Sequence, residues 1–225
     1  MFVSIITLFP QFFDPIISSS ILKRAQDNKK LKFRLINLRD YGIGKHKIVD
    51  DKPYGGGTGM ILRVDVIDKA IAAARRKSKK EAVILLDPKG KLFKQEVAEE
   101  LSNFEHLILV CGHYEGFDAR IHNLADYEIS IGDYILSGGE IPAMIIVDTV
   151  ARLVPGVLEK EAVAIESFSR GRHGRILEYP QYTRPQVFKG KKVPSVLLSG
   201  NLKRIENYRA SEAKKLTRKK RPDLI

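Results

Sequence analysis

Short runs of β-branched and aliphatic residues alternate with stretches of helical spacing through the first two-thirds of the chain. The strand-like runs are Val3–Leu8, Phe33–Leu38, Ala82–Asp87, His106–Cys111 and Tyr127–Ile131. Between them, apolar residues recurring at every third or fourth position predict helices over about 15–27, 65–78, 94–102 and 118–124. A longer apolar helix is predicted over about 139–152. An unbroken apolar strand such as Val83-Ile84-Leu85-Leu86 suits a sheet covered on both faces, as in parallel sheets with crossover helices. Residues 1–160 therefore read as one open α/β domain with a mostly parallel sheet.

The pattern then changes. Residues 153–195 contain Pro155, Pro180, Pro185 and Pro194, several glycines and many arginines, with no sustained period. Residues 161–195 read as a flexible, basic interdomain linker. Helical spacing resumes after Ser199, a candidate N-cap, with Leu202, Ile205, Tyr208, Ala213 and Leu216 as the apolar positions. Lysines and arginines fill the rest, so residues 196–225 read as a small helical domain with one basic face.

Charge sharpens this division. The 225 residues carry 39 Lys+Arg and 27 Asp+Glu, a formal net charge of +12. Residues 1–165 hold 23 basic and 22 acidic side chains, and residues 166–225 hold 16 and 5, so +11 of the excess lies in the last 60 residues. A neutral body with a basic C-terminal region points to a polyanionic partner. Cys111 is the only cysteine, which excludes an internal disulfide and a Cys-rich zinc site. No apolar stretch approaches the roughly 18–20 residues of a membrane span. The apolar Met1–Leu8 segment has no preceding charge and reads as a first strand rather than a leader, which points to the cytoplasm.

Four segments carry more than a scaffold needs. Asp50 to Met60 holds Gly55, Gly56, Gly57 and Gly59, which give up backbone order where backbone must approach a ligand or adopt positive φ. Its spacing fits neither a P-loop nor a dinucleotide fingerprint, and the plain alternative is a flexible surface loop. Cys111 to Asp118 and Ser130 to Glu140 each follow a strand directly, and Asp87-Pro88-Lys89-Gly90 makes a third such loop. Ligands of open α/β sheets bind beyond the strand carboxyl ends, where these loops would converge; taken singly, each is a tight βα turn. The fourth segment runs from Glu166 through Arg170, Arg172 and Arg175 to Tyr182-Thr183-Arg184-Pro185. Arginines mixed with aromatics suit phosphate contact and base stacking, against the alternative of a solvated linker. The five histidines show no metal-ligand spacing.

Together the segments resemble the bacterial tRNA (guanine-N1)-methyltransferases, the TrmD members of the knotted SPOUT superfamily. The matching text comprises Leu8-Phe9-Pro10 with Phe12-Phe13, Asn37 to Asp40, Pro53 to Met60, Gly112 to Gly116, Ile129 to Ala143, Arg152 to Leu158 and Tyr182 to Pro185. The resemblance implies methyl transfer from S-adenosylmethionine to N1 of the guanine just 3′ of a tRNA anticodon. It implies a homodimer, a deep trefoil knot in the α/β domain, and an active site at the subunit interface. It assigns the cofactor to three loops: Leu85, Leu86 and Pro88; Gly112, Tyr114, Glu115 and Gly116; and Ile131, Gly132, Asp133, Tyr134, Ile135, Leu136, Gly138 and Gly139, with Pro142 shaping the pocket. The glycines Gly55, Gly56, Gly57 and Gly59, the arginines Arg170, Arg172, Arg175 and Arg184, and Lys203, Arg204, Lys214, Lys215 and Arg218 are the candidate RNA contacts.

The chemistry narrows the catalytic candidates. A sulfonium methyl is a good electrophile, so the protein must position it and remove the weakly acidic N1 proton. A cation should balance charge developing toward O6. The resemblance places the base at Glu166, in Glu166-Ser167-Phe168 where the family has Asp-Ser-Phe, and a catalytic arginine at Arg152. Asp87 stands where the family has Ser, His113 where it has Arg, and the stretch Gly171 to Arg175 is longer than usual. The resemblance also implies Mg²⁺ dependence; no compact acidic cluster marks a metal site, and Glu115 is the one candidate contributor. The alternatives are a methyltransferase of another RNA and a non-catalytic RNA-binding protein. Membrane-surface binding ranks last, for want of a strongly apolar face opposite the basic one.

Overall fold

The computed structural model describes every residue except Lys77, Lys79 and residues 171–173. The chain divides into two compact units, Met1–Leu158 and Glu159–Ile225.

The strands of the first unit, in chain order, are β1 (Phe2–Thr7), β2 (Lys32–Asn37), β3 (Asp50–Asp51), β4 (Ile61–Leu62), β5 (Glu81–Leu92), β6 (His106–Cys111) and β7 (Tyr127–Ser130). Its α-helices are α1 (Asp14–Ile17), α2 (Ser20–Asp27), α3 (Val64–Ala74), α4 (Gln95–Leu101) and α5 (Glu140–Leu153). β3 and β4 form a short antiparallel ladder. The other five strands make one parallel sheet in the order β2-β1-β6-β5-β7.

The period-2 alternation of a strand explains the two cores. Val3, Ile5, Ala82, Ile84, Leu86, Leu107, Leu109 and Cys111 face one side, packed with residues of α2, α4 and α5. Ile6, Val83, Leu85, Ile108 and Val110 face the other, packed with Val66, Ile67, Ala70 and Ile71 of α3. Both faces of β5 and β6 are thus dry, as their unbroken apolar runs predict.

Local chemistry moved several expected boundaries. The helix expected over 15–27 breaks into α1 and α2, where the Ser18 and Ser19 hydroxyls donate back to the carbonyls of Asp14 and Pro15. The helix expected to reach 78 ends at Ala74, and Arg75 is already extended. Its expected end includes Lys77, outside the described residues. The expected helix 118–124 is a 3₁₀ turn over Ala119–Leu124, started by the Asp118 carboxylate accepting from the Arg120 N–H. The strand expected to stop at Asp87 resumes pairing at Lys91 and runs to Leu92.

The second unit contains α6 (Lys160–Ile165), a hairpin of β8 (Val187–Phe188) and β9 (Lys191–Lys192), and α7 (Leu202–Lys220). The region read as lacking any period therefore holds a short helix and a ribbon. Asn201, not Ser199, caps α7: its side-chain oxygen accepts from the Arg204 N–H at 3.0 Å. Ser199 instead donates to the Val196 carbonyl. Ala213 and Thr217 are the buried positions of α7, whereas Leu202, expected on its apolar face, is 82% exposed. Thr217 accepts from the Leu177 N–H, and the Ser167 hydroxyl accepts from Glu178, so segments 167–178 and α7 are tied together within this unit. Among the described residues, no helix is long and apolar enough to cross a membrane.

Beneath the sheet's lower edge, His106 is buried between Ser4 and Glu81, with Nε2 2.9 Å from the Ser4 hydroxyl and Nδ1 2.7 Å from the Glu81 carboxylate. Burial lowers the His106 pKa and outweighs the carboxylate beside it. Burial would raise the Glu81 carboxyl, but the Arg76 N–H and the His106 ring hold it below its usual range. The network is therefore a neutral imidazole donating from Nδ1 to Glu81 and accepting from Ser4 at Nε2. A histidine whose folded pKa is depressed leaves the folded state with fewer bound protons than the unfolded one. Its stabilising contribution is present above about pH 6.5 and is lost as pH falls below that. We expect the urea midpoint to drop between pH 7.5 and 5.5, and His106→Gln to flatten that slope. An unchanged slope in the variant would refute the assignment.

Candidate active site

Three loops leave the carboxyl ends of β5, β6 and β7 and enclose a cavity of about 330 Å³ within the first unit. Each wall follows from a local constraint.

The β5 wall is an excursion of Asp87-Pro88-Lys89-Gly90 out of the strand. Ile129 of β7 pairs with Leu86 before the excursion and with Lys91 after it. Asp87 starts the turn by accepting from the Lys89 N–H at 2.8 Å. Gly90 closes it, since a Cβ there would lie 2.4 Å from the Ile129 backbone nitrogen.

The β6 wall is Gly112 to Phe117. The Gly116 N–H donates to the His113 carbonyl, and Tyr114 has a positive φ of 60°. The Phe9 ring packs on His113 with centroids 5.3 Å apart.

The β7 wall crosses back over the ends of β5 and β6 before α5 begins. His113 and Gly138 form a bridge, and the Gly139 N–H donates to the Gly112 carbonyl at 2.8 Å. A Cβ on Gly139 would lie 2.7 Å from both the Cys111 Cα and the Gly112 nitrogen. Glu140, the first residue of α5, is buried, and its carboxylate accepts from the Thr7 hydroxyl at 2.6 Å. The same Thr7 oxygen accepts from the Phe9 N–H, which ends β1 and sets the Phe9 ring. A carboxylate in the first helical turn is favoured by the helix dipole. Burial, with the Glu140 charge second, pushes the Cys111 thiol well up, so Cys111 is a packing residue.

Of the residues assigned to the cofactor by resemblance, all line this cavity except Leu85 and Asp133. Leu85 is wholly buried in the core on the other face of the sheet, and Asp133 is solvent-exposed between two lining residues. The lining also includes Asp87, Lys89, His113, Phe117, Ser130 and Ser137, which lie within the strand-end loops read as converging on a ligand, and Ile129, which sequence reasoning did not assign. Their places at or beside strand ends were the available signal. Backbone, glycine and apolar side chains dominate the walls, with Asp87, Lys89 and Glu115 the charged members.

The glycine-rich loop lies at the rim. Gly55, Gly56, Gly57 and Gly59 all have positive φ. The Glu115 N–H donates to the Met60 carbonyl, and the Leu62 N–H to the Gly116 carbonyl, so this loop is laced to the β6 wall. Arg63 anchors its base by pairing with Asp51 and Asp65, and the Asp65 carboxyl is held below its usual range by that contact.

Arg152 is half-buried in the last turn of α5. In the second unit, Glu166 is half-buried at the end of α6 and lines a cavity of about 480 Å³ with Ile176, Tyr179 and residues of α7. Arg170, Arg184, Lys203, Arg204, Lys214, Lys215 and Arg218 are exposed. Arg175 is half-buried and donates to the Phe168 carbonyl at 3.0 Å. Arg172 lies outside the described residues. Among those residues, no group of three or more His, Cys, Asp or Glu is placed to hold a metal ion.

The chain matches the family described as tRNA (Guanine-1)-methyltransferase TrmD over residues 1–225. It is 52% identical over 224 residues to the tRNA (guanine-N(1)-)-methyltransferase of Dictyoglomus turgidum, covering 99% of this chain and 89% of that protein. It is 51% identical to the enzyme of that name from Bacillus pumilus, covering 100% of this chain and 92% of the relative. The counterpart from Desulfitobacterium hafniense is 50% identical, with 99% and 83% covered. Matched along its whole length by a single family, and about half identical to relatives of that name over nearly all of its length, the chain belongs to the tRNA (guanine-N1)-methyltransferases.

Proposed function

We propose that this protein transfers a methyl group from S-adenosylmethionine to N1 of the guanine immediately 3′ of a tRNA anticodon. The observation that carries the reading is the cavity at the ends of β5, β6 and β7, in a chain of this family. Its walls suit the adenosine and methionine parts of that cofactor. Backbone amides and carbonyls are presented where glycines let the chain come close, and apolar surface from Leu86, Ile131, Ile135 and Pro142 is available for the adenine. When bound there, S-adenosylmethionine supplies an intrinsically electrophilic sulfonium methyl.

The chain's own residues then have two tasks. Glu166 accepts the N1 proton of guanine, and Arg152 balances the negative charge that develops toward O6. The laced glycine loop and the basic face of α7 hold the tRNA.

A second copy of the chain completes the site in this reading. Ile135 and Tyr134 at the cavity mouth are 82% and 54% exposed, and Ile141, Ile145 and Phe12 are exposed as well. Such apolar exposure favours an interface between copies. The return of the β7 loop across β5 and β6 agrees with the trefoil knot that the resemblance implies. The reaction belongs to the cytoplasm, where tRNA is matured.

Three outcomes test this reading. Reverse transcription of a tRNA treated with enzyme and cofactor should stop at the guanine 3′ of the anticodon, because an N1 methyl blocks pairing. A stop elsewhere would assign another RNA position. Glu166→Gln should lose turnover by at least 100-fold while calorimetry still detects cofactor binding; near-normal turnover would remove Glu166 as the base. Gly139→Ala should weaken cofactor binding at least tenfold, because the added methyl collides with the backbone of Cys111 and Gly112. Unchanged affinity would place the cofactor elsewhere.

A further inference from the structure

The second unit has a cleft that neither the proposed base nor α7 accounts for. Its volume is about 420 Å³, within the roughly 300–1,000 Å³ range of clefts that take small organic groups. Tyr179, Tyr182, Arg184 and Arg209 line it. The Arg209 guanidinium lies 4.8 Å from the centre of the Tyr179 ring. One aromatic ring is thus held against a cation, and Tyr182 beside it is 49% exposed.

The β8–β9 hairpin rises from the edge of this cleft. Gln186 and Val193, which line it, extend the hairpin ladder through the bond from the Val193 N–H to the Gln186 carbonyl. At the tip, Lys189 and Gly190 both have positive φ, the backbone of a tight hairpin turn that needs no support from a core. Phe188 is 62% exposed and Val187 is 49% exposed, so the hairpin buries neither within its own unit. Phe188 pairs across the ladder with Lys191, and the Lys189 ammonium lies 5.5 Å from its ring centre. From Tyr179 to Pro194 there are four basic residues, Arg184, Lys189, Lys191 and Lys192, and no acidic one.

We infer that the cleft and hairpin together bind an unpaired nucleotide of the tRNA. Its base would stack against Tyr182 or Phe188, and its flanking phosphates would be held by Arg184 and the hairpin lysines. Exposed rings beside uncompensated cations favour single-stranded nucleic acid, because every base offers a face to stack on and every linkage offers a charge. A second copy of this chain would have to bring acidic residues to the same place. The inference rests on the reading of the second unit as the tRNA-holding part, and it adds recognition of single-stranded RNA to the charge of α7.

The test measures tRNA binding over a salt series, with steady-state kinetics on the same transcript. Phe188→Ala and Tyr182→Ala should each weaken binding roughly 5- to 150-fold, the range for loss of one stacked base. They should raise KM for tRNA while kcat holds. Replacing Lys189, Lys191 and Lys192 together by Gln should make the salt slope shallower by about two, as expected for three single-strand phosphate contacts. Because Phe188 and these lysines are exposed, their variants should keep the wild-type melting temperature. They decide the matter if Tyr182→Ala fails to fold. If the hairpin variants bind tRNA within twofold of wild type while Lys214→Gln/Lys215→Gln/Arg218→Gln on α7 does not, the nucleotide site is refuted and the tRNA-holding reading stands. If all variants bind as wild type, both fall. If the hairpin variants change the oligomeric state instead, the surface is an interface between copies and the inference is overturned.

Discussion

The site depends on one close approach, that of Gly139 to the backbone of Cys111 and Gly112. At this point the chain returning from the outer strand β7 meets the end of the central strand β6, with no room for a side chain between them. The contact fixes three things together. It sets the start of α5, it closes one side of the cavity, and it brings the Glu140 carboxylate under the end of β1 to meet Thr7. Thr7 in turn directs Phe9 toward His113 on the opposite wall. A buried carboxylate would ordinarily be a liability. Here a strong hydrogen bond and the amino end of a helix compensate it, so removing either would leave the charge exposed to an apolar core.

A cavity built in this way offers a ligand mainly backbone groups. Backbone donors and acceptors cannot swing away or titrate near neutral pH, so the geometry is preorganised. The second unit uses the opposite physics. Its cations sit on exposed side chains, where attraction to a polyanion would weaken with salt. The net charge of +12 is therefore not a property of the whole surface: +11 of it lies in the last 60 residues.

Much of the first unit was legible because burial on both faces of a parallel sheet leaves an unmistakable run, as in Val83 to Leu86 and His106 to Cys111. The strand-end loops could be read as well, because three of them together, each explicable alone as a tight turn, point to one place beyond the sheet. What escaped were features set by single tertiary contacts. Ser18 and Ser19 split a helix through local hydroxyl bonds that periodicity does not register. The resumption of β5 after Gly90 depends on pairing with a strand nearly 40 residues away. The β8–β9 hairpin is too short and too charged to show alternation, so it read as loop. Asn201 displaced Ser199 as the cap because both are competent N-caps in a three-residue window and only the chain's path chooses between them.

The pairing of Ile129 with both Leu86 and Lys91 has a further consequence. The four residues between them begin and end at the same rung of the ladder, so the sheet is indifferent to what the excursion contains, provided Gly90 can close it. That makes the segment a replaceable module. Within it, Asp87 holds the turn by accepting from the Lys89 N–H, while Pro88 and Lys89 are exposed. The wall that this loop gives the cavity is thus set apart from the strand pairing that holds the framework around it.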